Sequence, residues 1–208
     1  QAVPSPGGAN VRFRGHSGDV RQKAGFWAIS GNLISNQTVN IHLQYARGIV
    51  ISGNSFFSGH ERTMRLEQSD YIVIGPNVID RNPDYRVATG DGVVFDRCVG
   101  CSISGVVMNG PNPAGAAAVE MLDSSEIAIT GCQILDPAPR GVLVRASTRC
   151  RVSDCTIVDR RQPKLMQEAV RVEGGQSIMV VNNLLSAGVQ GAVCGDLAAA
   201  RVEGNMTE

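Results

Sequence analysis

Residues 51–56 read Ile51-Ser52-Gly53-Asn54-Ser55-Phe56: an apolar residue, a Gly-Asn bend and a second apolar residue. The shape recurs at Ile29-Ser30-Gly31-Asn32-Leu33-Ile34, Ile74-Gly75-Pro76-Asn77-Val78-Ile79 and Ile103-Ser104-Gly105-Val106-Val107-Met108. It continues at Ile129-Thr130-Gly131-Cys132-Gln133-Ile134, Val152-Ser153-Asp154-Cys155-Thr156-Ile157, Val180-Val181-Asn182-Asn183-Leu184-Leu185 and Val202-Glu203-Gly204-Asn205-Met206. The fourth residue forms a column, Asn32, Asn54, Asn77, Val106, Cys132, Cys155, Asn183 and Asn205, at intervals of 22, 23, 29, 26, 23, 28 and 22 residues.

A second column checks the first. Alternating triplets begin at Ile41, Met64, Val93, Val119, Val142, Val170 and Val193, and each lies 13 residues before the Asn/Cys column, the last 12. Length varies instead between the column residue and the next triplet, where Asp80–Thr89, Asn109–Ala118 and Asp159–Ala169 are the long segments. A constant arc with period-2 alternation describes stacked coils of short strands, each about 4.8 Å above the last, with like side chains over like. One inner stack is then Ile34, Phe56, Ile79, Met108, Ile134, Ile157 and Leu185. The Asn column falls at a sharp bend, where its amides can satisfy stranded backbone groups.

Composition agrees. The 208 residues hold 19 Lys+Arg and 19 Asp+Glu, a formal net charge of zero, which gives no electrostatic case for nucleic acid or an anionic membrane. No stretch approaches the ~18 uninterrupted apolar residues of a membrane span. Aromatics are 4% and Gly numbers 24, so a large core must be built from small and β-branched side chains. Six Cys in this length are too dilute for a disulfide scaffold.

The pattern resembles the parallel β-helix repeat of the pectate-lyase-like superfamily over roughly residues 10–208. The expected fold class is therefore all-β: a single-stranded right-handed parallel β-helix of about eight to nine coils, three strands per coil. Residues 1–9 read as an irregular lead-in and 10–208 as the β-helix domain. Asn10-Val11-Arg12-Phe13-Arg14-Gly15-His16 echoes Asn54-Ser55-Phe56-Phe57-Ser58-Gly59-His60, which sets Arg21 and Lys23 in the outward positions of the first coil. Both ends fall inside a coil, so the chain reads as part of a longer solenoid whose upstream coils, or another subunit, cover the N-terminal end. The expected location is extracellular or periplasmic, any signal peptide lying outside the chain.

Loops along one edge of a solenoid wall a groove whose floor is the outward face of the triplet strands. Its centre is polar. Glu67 and Asp96 occupy one outward position in successive coils, about 5 Å apart, with Arg65 beside them and Glu120 one coil on. These four are the candidate catalytic residues. His42 on the floor, His60 in a loop, Arg62 and Asp91 at the strand entrance, Tyr85 in the long loop and Arg145 farther along are candidate substrate-binding residues. Two carboxylates at that spacing suit a retaining glycosidase. An Arg among carboxylates suits a uronate lyase, in which an Arg or a cation such as Ca2+ neutralises the substrate carboxylate while a base removes the α-proton. The expected partner is a polysaccharide or oligosaccharide, and no cofactor is fixed by the residues, Ca2+ being the candidate. The motifs of polygalacturonases and pectate lyases are missing. The competing reading is a solvated face of cross-strand charge pairs, which makes the chain a non-catalytic glycan-binding or structural module.

The cysteines read as small core fillers: Cys98 between Ser69 and Ser124, and Cys101 and Cys150 in the column of Ile49, Ile72 and Ile127. Cys132 and Cys155 are stacked neighbours within reach of a disulfide by backbone spacing.

Overall fold

The computed structural model describes residues 4–16, 19, 21–81, 88–113 and 115–208. Among them there is no helix, hence none long and apolar enough to cross a membrane, and every strand pairing is parallel. Three short strands make each coil. The first strands include Val93–Asp96, Val119–Leu122 and Arg140–Thr148. The second strands, from Ala28–Ser30 to Ala200–Glu203, form an eight-stranded sheet of their own. The third follow the bend, as in Val78–Asp80, Val107–Asn109 and Gln133–Leu135. In two early coils the third strand runs unbroken into the next first strand, giving the long strands Leu33–Gln44 and Ser55–Glu67. These two join the first and third strands into one fourteen-stranded sheet.

The inward positions stack as the repeat predicts. Ile34, Phe56, Ile79, Met108, Ile134, Ile157 and Leu185 are direct cross-strand partners in that order, and all are buried. On the first strands Leu43, Leu66, Phe95, Met121, Val144 and Val172 form another such stack. The cysteines lie where the register puts them. Cys98 N–H donates to Ser124 Oγ, and Cys101 Sγ accepts the Ile72 N–H. Cys132 and Cys155 are free thiols, with Cys155 Sγ accepting the Cys132 N–H at 3.4 Å.

At the bend, each asparagine amide serves two coils. Asn77 Oδ1 accepts both the N–H and the Nδ2 of Asn54, at 2.9 and 3.1 Å, while its own Nδ2 donates to Ile51 O and Gly75 O. Asn54 does the same for Asn32. Asn77→Ala strands the buried Asn54 N–H and removes the side-chain donor of the Gly75 carbonyl, while Ile51 O keeps the Gly75 N–H; a buried group left unsatisfied costs roughly 1–3 kcal/mol. Urea unfolding of this variant is expected to show a loss of at least that size, and an unchanged midpoint would refute the load assigned to the ladder.

The first coil departs from the expected register. Ala9–Arg14 pairs with residues 39–44, so Val11 and Phe13 stack on Ile41 and Leu43. Arg12 and Arg14, not Arg21 and Lys23, precede His42 and Gln44 on the outward face. Lys23 instead turns inward and pairs with Asp70 at 2.7 Å. The cause is an insertion between the first and second strands of this coil, where Arg14 to Ala24 replaces the short step from Gln44 to Ala46. The chance spacing of 22 residues between Asn10 and Asn32 imitates a whole coil.

Candidate functional site

Alternation along the first strands sends every second side chain outward, and the pairing stacks those side chains in columns. One column runs His42, Arg65, Val94, Glu120, Leu143, Arg171. Its neighbour runs Gln44, Glu67, Asp96, Leu122, Arg145, Glu173. At the centre lies a cleft of about 210 Å3 lined by Arg62, Arg65, Glu67, Val94, Asp96, Glu120 and Leu122. The four residues singled out as catalytic candidates, with Arg62, therefore share one concavity.

Their roles in the structure differ. Glu67 Oε2 lies 2.8 Å from His42 Nε2, a diagonal contact between adjacent strands. Asp96 is held by Arg97 at 2.9 Å. Arg65 stands directly beside His42 in the register, with a third of its side chain exposed and Glu61 4.0 Å away. An amphoteric pair, a second carboxylate and a guanidinium thus meet solvent together. Arg97 was not among the candidates, although it directly follows Asp96 in the chain.

Glu120 belongs to a different layer. It was expected as a reactive outward carboxylate, but it is 4% exposed. Its Oε1 accepts Arg62 Nη2 at 2.5 Å and the N–H groups of Ala116 and Ala117 at 2.9 and 3.3 Å. Residues 115–117 fold over it, and a Cβ on Gly115 would land on the Arg62 guanidinium. Glu120 and Arg62 form the wall and support of the cleft.

Asp91 is likewise a correction. Expected to contact substrate, it is 1% exposed. Its Oδ1 accepts the Gly59 N–H at 2.7 Å and Thr63 Oγ1, and its Oδ2 accepts Thr89 Oγ1. It ties two successive strand entrances together from inside, at a positive φ of 54°. Burial pushes its carboxyl above the ordinary 3.8, against the pull of Thr89, Gly59 and Thr63. A carboxyl with a raised folded-state pKa stabilises the fold below its unfolded value and loses that contribution as pH rises through the folded one. Asp91→Asn keeps one acceptor oxygen, for the Gly59 N–H and Thr63, and removes the titration. The stability difference between variant and parent, read from urea midpoints, should move in the variant's favour from pH 3.5 upward; a pH-independent difference would contradict this.

Of the remaining candidates, His60 O accepts the Gly90 N–H at the strand entrance, and its side chain is not in the cleft lining. Arg145 pairs with Glu173 at 2.7 Å, two coils beyond Asp96. Tyr85 lies outside the described residues. Among the described residues no three His, Cys, Asp or Glu side chains converge as metal ligands.

Comparison with known proteins follows from this geometry. A family model described as "Right handed beta helix region" matches residues 84–207, more than half of the chain. The chain belongs to the right-handed β-helix family. A second model, described as "Periplasmic copper-binding protein (NosD)", matches residues 22–136, also more than half, and this β-helix falls within that family too. No curated protein matches the sequence. Among solved structures, the β-helix is similar to the A-module of the mannuronan C-5 epimerase AlgE6 of Azotobacter vinelandii. That likeness has a TM-score of 0.59 and 13% identity over 87% of this chain and 57% of that one. It also resembles DFA-IIIase from Arthrobacter chlorophenolicus A6, at a TM-score of 0.48 and 12% identity over 83% of this chain and 43% of the other. The β-helix thus spans well under two thirds of either relative, and at these identities the likeness is one of fold.

Proposed function

We propose that this protein acts on an extended, uronate-containing glycan laid along the outward face of its first strands, by proton abstraction of the lyase type. The observation that carries the reading is the adjacency of Arg65 to the hydrogen-bonded His42–Glu67 pair on one open floor. Proton removal next to a carboxylate requires that the carboxylate's charge be neutralised and that a base stand at the α-carbon. Arg65 supplies the first, with a planar fork suited to carboxylate. Glu67, oriented by His42, supplies the second, and Asp96 binds hydroxyls one coil along. In the elimination the Glu67 carboxylate takes the C5 proton, the C4–O bond breaks as the C4–C5 double bond forms, and the leaving oxygen takes a proton from solvent water. The name of the AlgE6 neighbour, a mannuronan epimerase, supports a polyuronate as the glycan.

The NosD description names copper as well as the periplasm. A periplasmic or extracellular site of action fits a polymeric glycan. Among the described residues no three His, Cys, Asp or Glu side chains converge to hold copper. Five of the six cysteines are buried. Cys98, Cys132 and Cys155 each have a sulfur bonded to main-chain carbonyls, and the His42 Nε2 is engaged by Glu67. No step is assigned to the metal.

Incubation with alginate, polygalacturonate, a neutral β-glucan and inulin tests the reading. Unsaturated uronate ends on an acidic polymer support it. New reducing ends without unsaturation point to hydrolysis by the Glu67 and Asp96 carboxylates. No product from any polymer, with binding unchanged in Glu67→Ala, would leave a non-catalytic module.

A further inference from the structure

The turns that carry the chain from first to second strands form a column that the proposed reaction does not use. Main-chain bonds set its register: Phe26 N–H to Arg47 O, Gly48 N–H to Asp70 O, Tyr71 N–H to Val99 O, and Gly100 N–H to Ser125 O. Phe26, Gly48, Tyr71 and Gly100 therefore hold one position in successive coils, aromatic alternating with glycine. All four adopt positive φ, at 63, 62, 54 and 64°.

The two rings are supported alike. Cδ1 and Cε1 of Phe26 lie 3.1 and 3.2 Å from the point where a Cβ on Gly48 would stand, and the same atoms of Tyr71 lie 2.8 Å from that point on Gly100. Each ring leans over the bare glycine of the next coil. Neither is core filling, since Phe26 is 78% and Tyr71 49% exposed. The Arg47 guanidinium, from the intervening coil, lies 5.1 Å from the centroid of the Tyr71 ring. Beyond Gly100 the column turns polar, with Glu126 and Arg149 paired at 2.7 Å. A single exposed aromatic needs no explanation, but two in the same position on the same support form a surface.

We propose that this edge is a second glycan-binding surface, on which alternate sugar rings of an extended chain stack on Phe26 and Tyr71. Two coils separate the rings by about 10 Å, close to the length of two pyranose units in an extended chain. Aromatic faces take the apolar C–H face of a pyranose, and Arg47, stacked on the Tyr71 ring, lies beside that path. With Val50 and Val73 beside the rings, the exposed apolar side chains form a strip two positions wide with a polar continuation, which favours a thin polymer over a protein partner, whose contact would need a broad apolar core. The glycan is that of the proposed function, but the surface is separate from the cleft, so the two can fail independently.

Affinity electrophoresis through gels containing alginate, polygalacturonate, inulin or β-glucan tests it. Phe26→Gly and Tyr71→Gly are the variants of choice, because glycine accepts the left-handed backbone without strain. The parent is expected to be retarded by at least one polymer, and each variant to lose several-fold to about tenfold in apparent affinity, the double variant more. Glu67→Gln should be retarded like the parent even where it yields no product. Val78→Ala, an exposed apolar residue on the third strands, should also behave as the parent, and thermal melts confirm folding of all forms. Absence of retardation of the parent, a double variant retarded like the parent, or an equal loss in Val78→Ala would overturn the proposal. Retardation of the parent only by an added protein would assign the strip to a protein partner instead.

Discussion

Glu67→Gln is expected to lower turnover of the responsive polyuronate by about 10²–10⁴-fold, the usual contribution of a positioned general base. The substitution keeps the shape of the side chain and an oxygen facing His42, whose Nε2 stands 2.8 Å from Glu67 in the parent. It removes the ability to take a proton. Arg65, the neighbour that would hold the substrate carboxylate, is untouched, so KM should change little while kcat falls. A Glu67→Gln protein retaining half the parent rate would place the chemistry elsewhere. Arg65→Lys should show the complementary pattern, with weakened binding of acidic polymer, because an ammonium cannot offer the paired donors of a guanidinium.

Glu120→Leu is expected to destabilise the protein by about 3–5 kcal/mol, because it leaves the Arg62 guanidinium buried without its carboxylate. Both side chains are nearly closed to solvent, at 8% and 6% exposure, and the loop before Glu120 is tied to the same carboxylate through the Ala116 and Ala117 N–H groups. Arg62→Met with Glu120→Leu removes both charges and should recover most of the loss, since the remaining shape can pack as an apolar pair. Urea unfolding of the four proteins forms the cycle. A double variant no more stable than Glu120→Leu alone would show that the loop contacts, not the stranded charge, dominate.

The register was readable because the 13-residue arc ties each triplet to its bend, so that one correctly placed coil places its neighbours. Glu67 beside Asp96, and Arg65 beside His42, follow from that counting alone. What counting could not reach was burial by loops. Glu120 occupies an outward position, yet the segment before it folds back and covers it. Nothing in the alternation signals this, although Gly115 provides the close approach. Asp91 was misplaced for a related reason: it stands at a strand entrance, where period-2 logic does not apply, and its partners Gly59 and Thr63 come from the previous coil. The first coil failed because its insertion lies on a different edge from the others, and Val11 and Phe13 alternate equally well in either register.

The unbroken strands Leu33–Gln44 and Ser55–Glu67 carry a consequence for the mode of attack. On the upstream side of the cleft those coils pass from third strand to first without an interrupting wall. A polymer could then settle across Arg65 and Glu67 from the side, with no need to thread a free terminus. Scission would fall at interior linkages, and viscosity of the solution would drop well before small fragments accumulate.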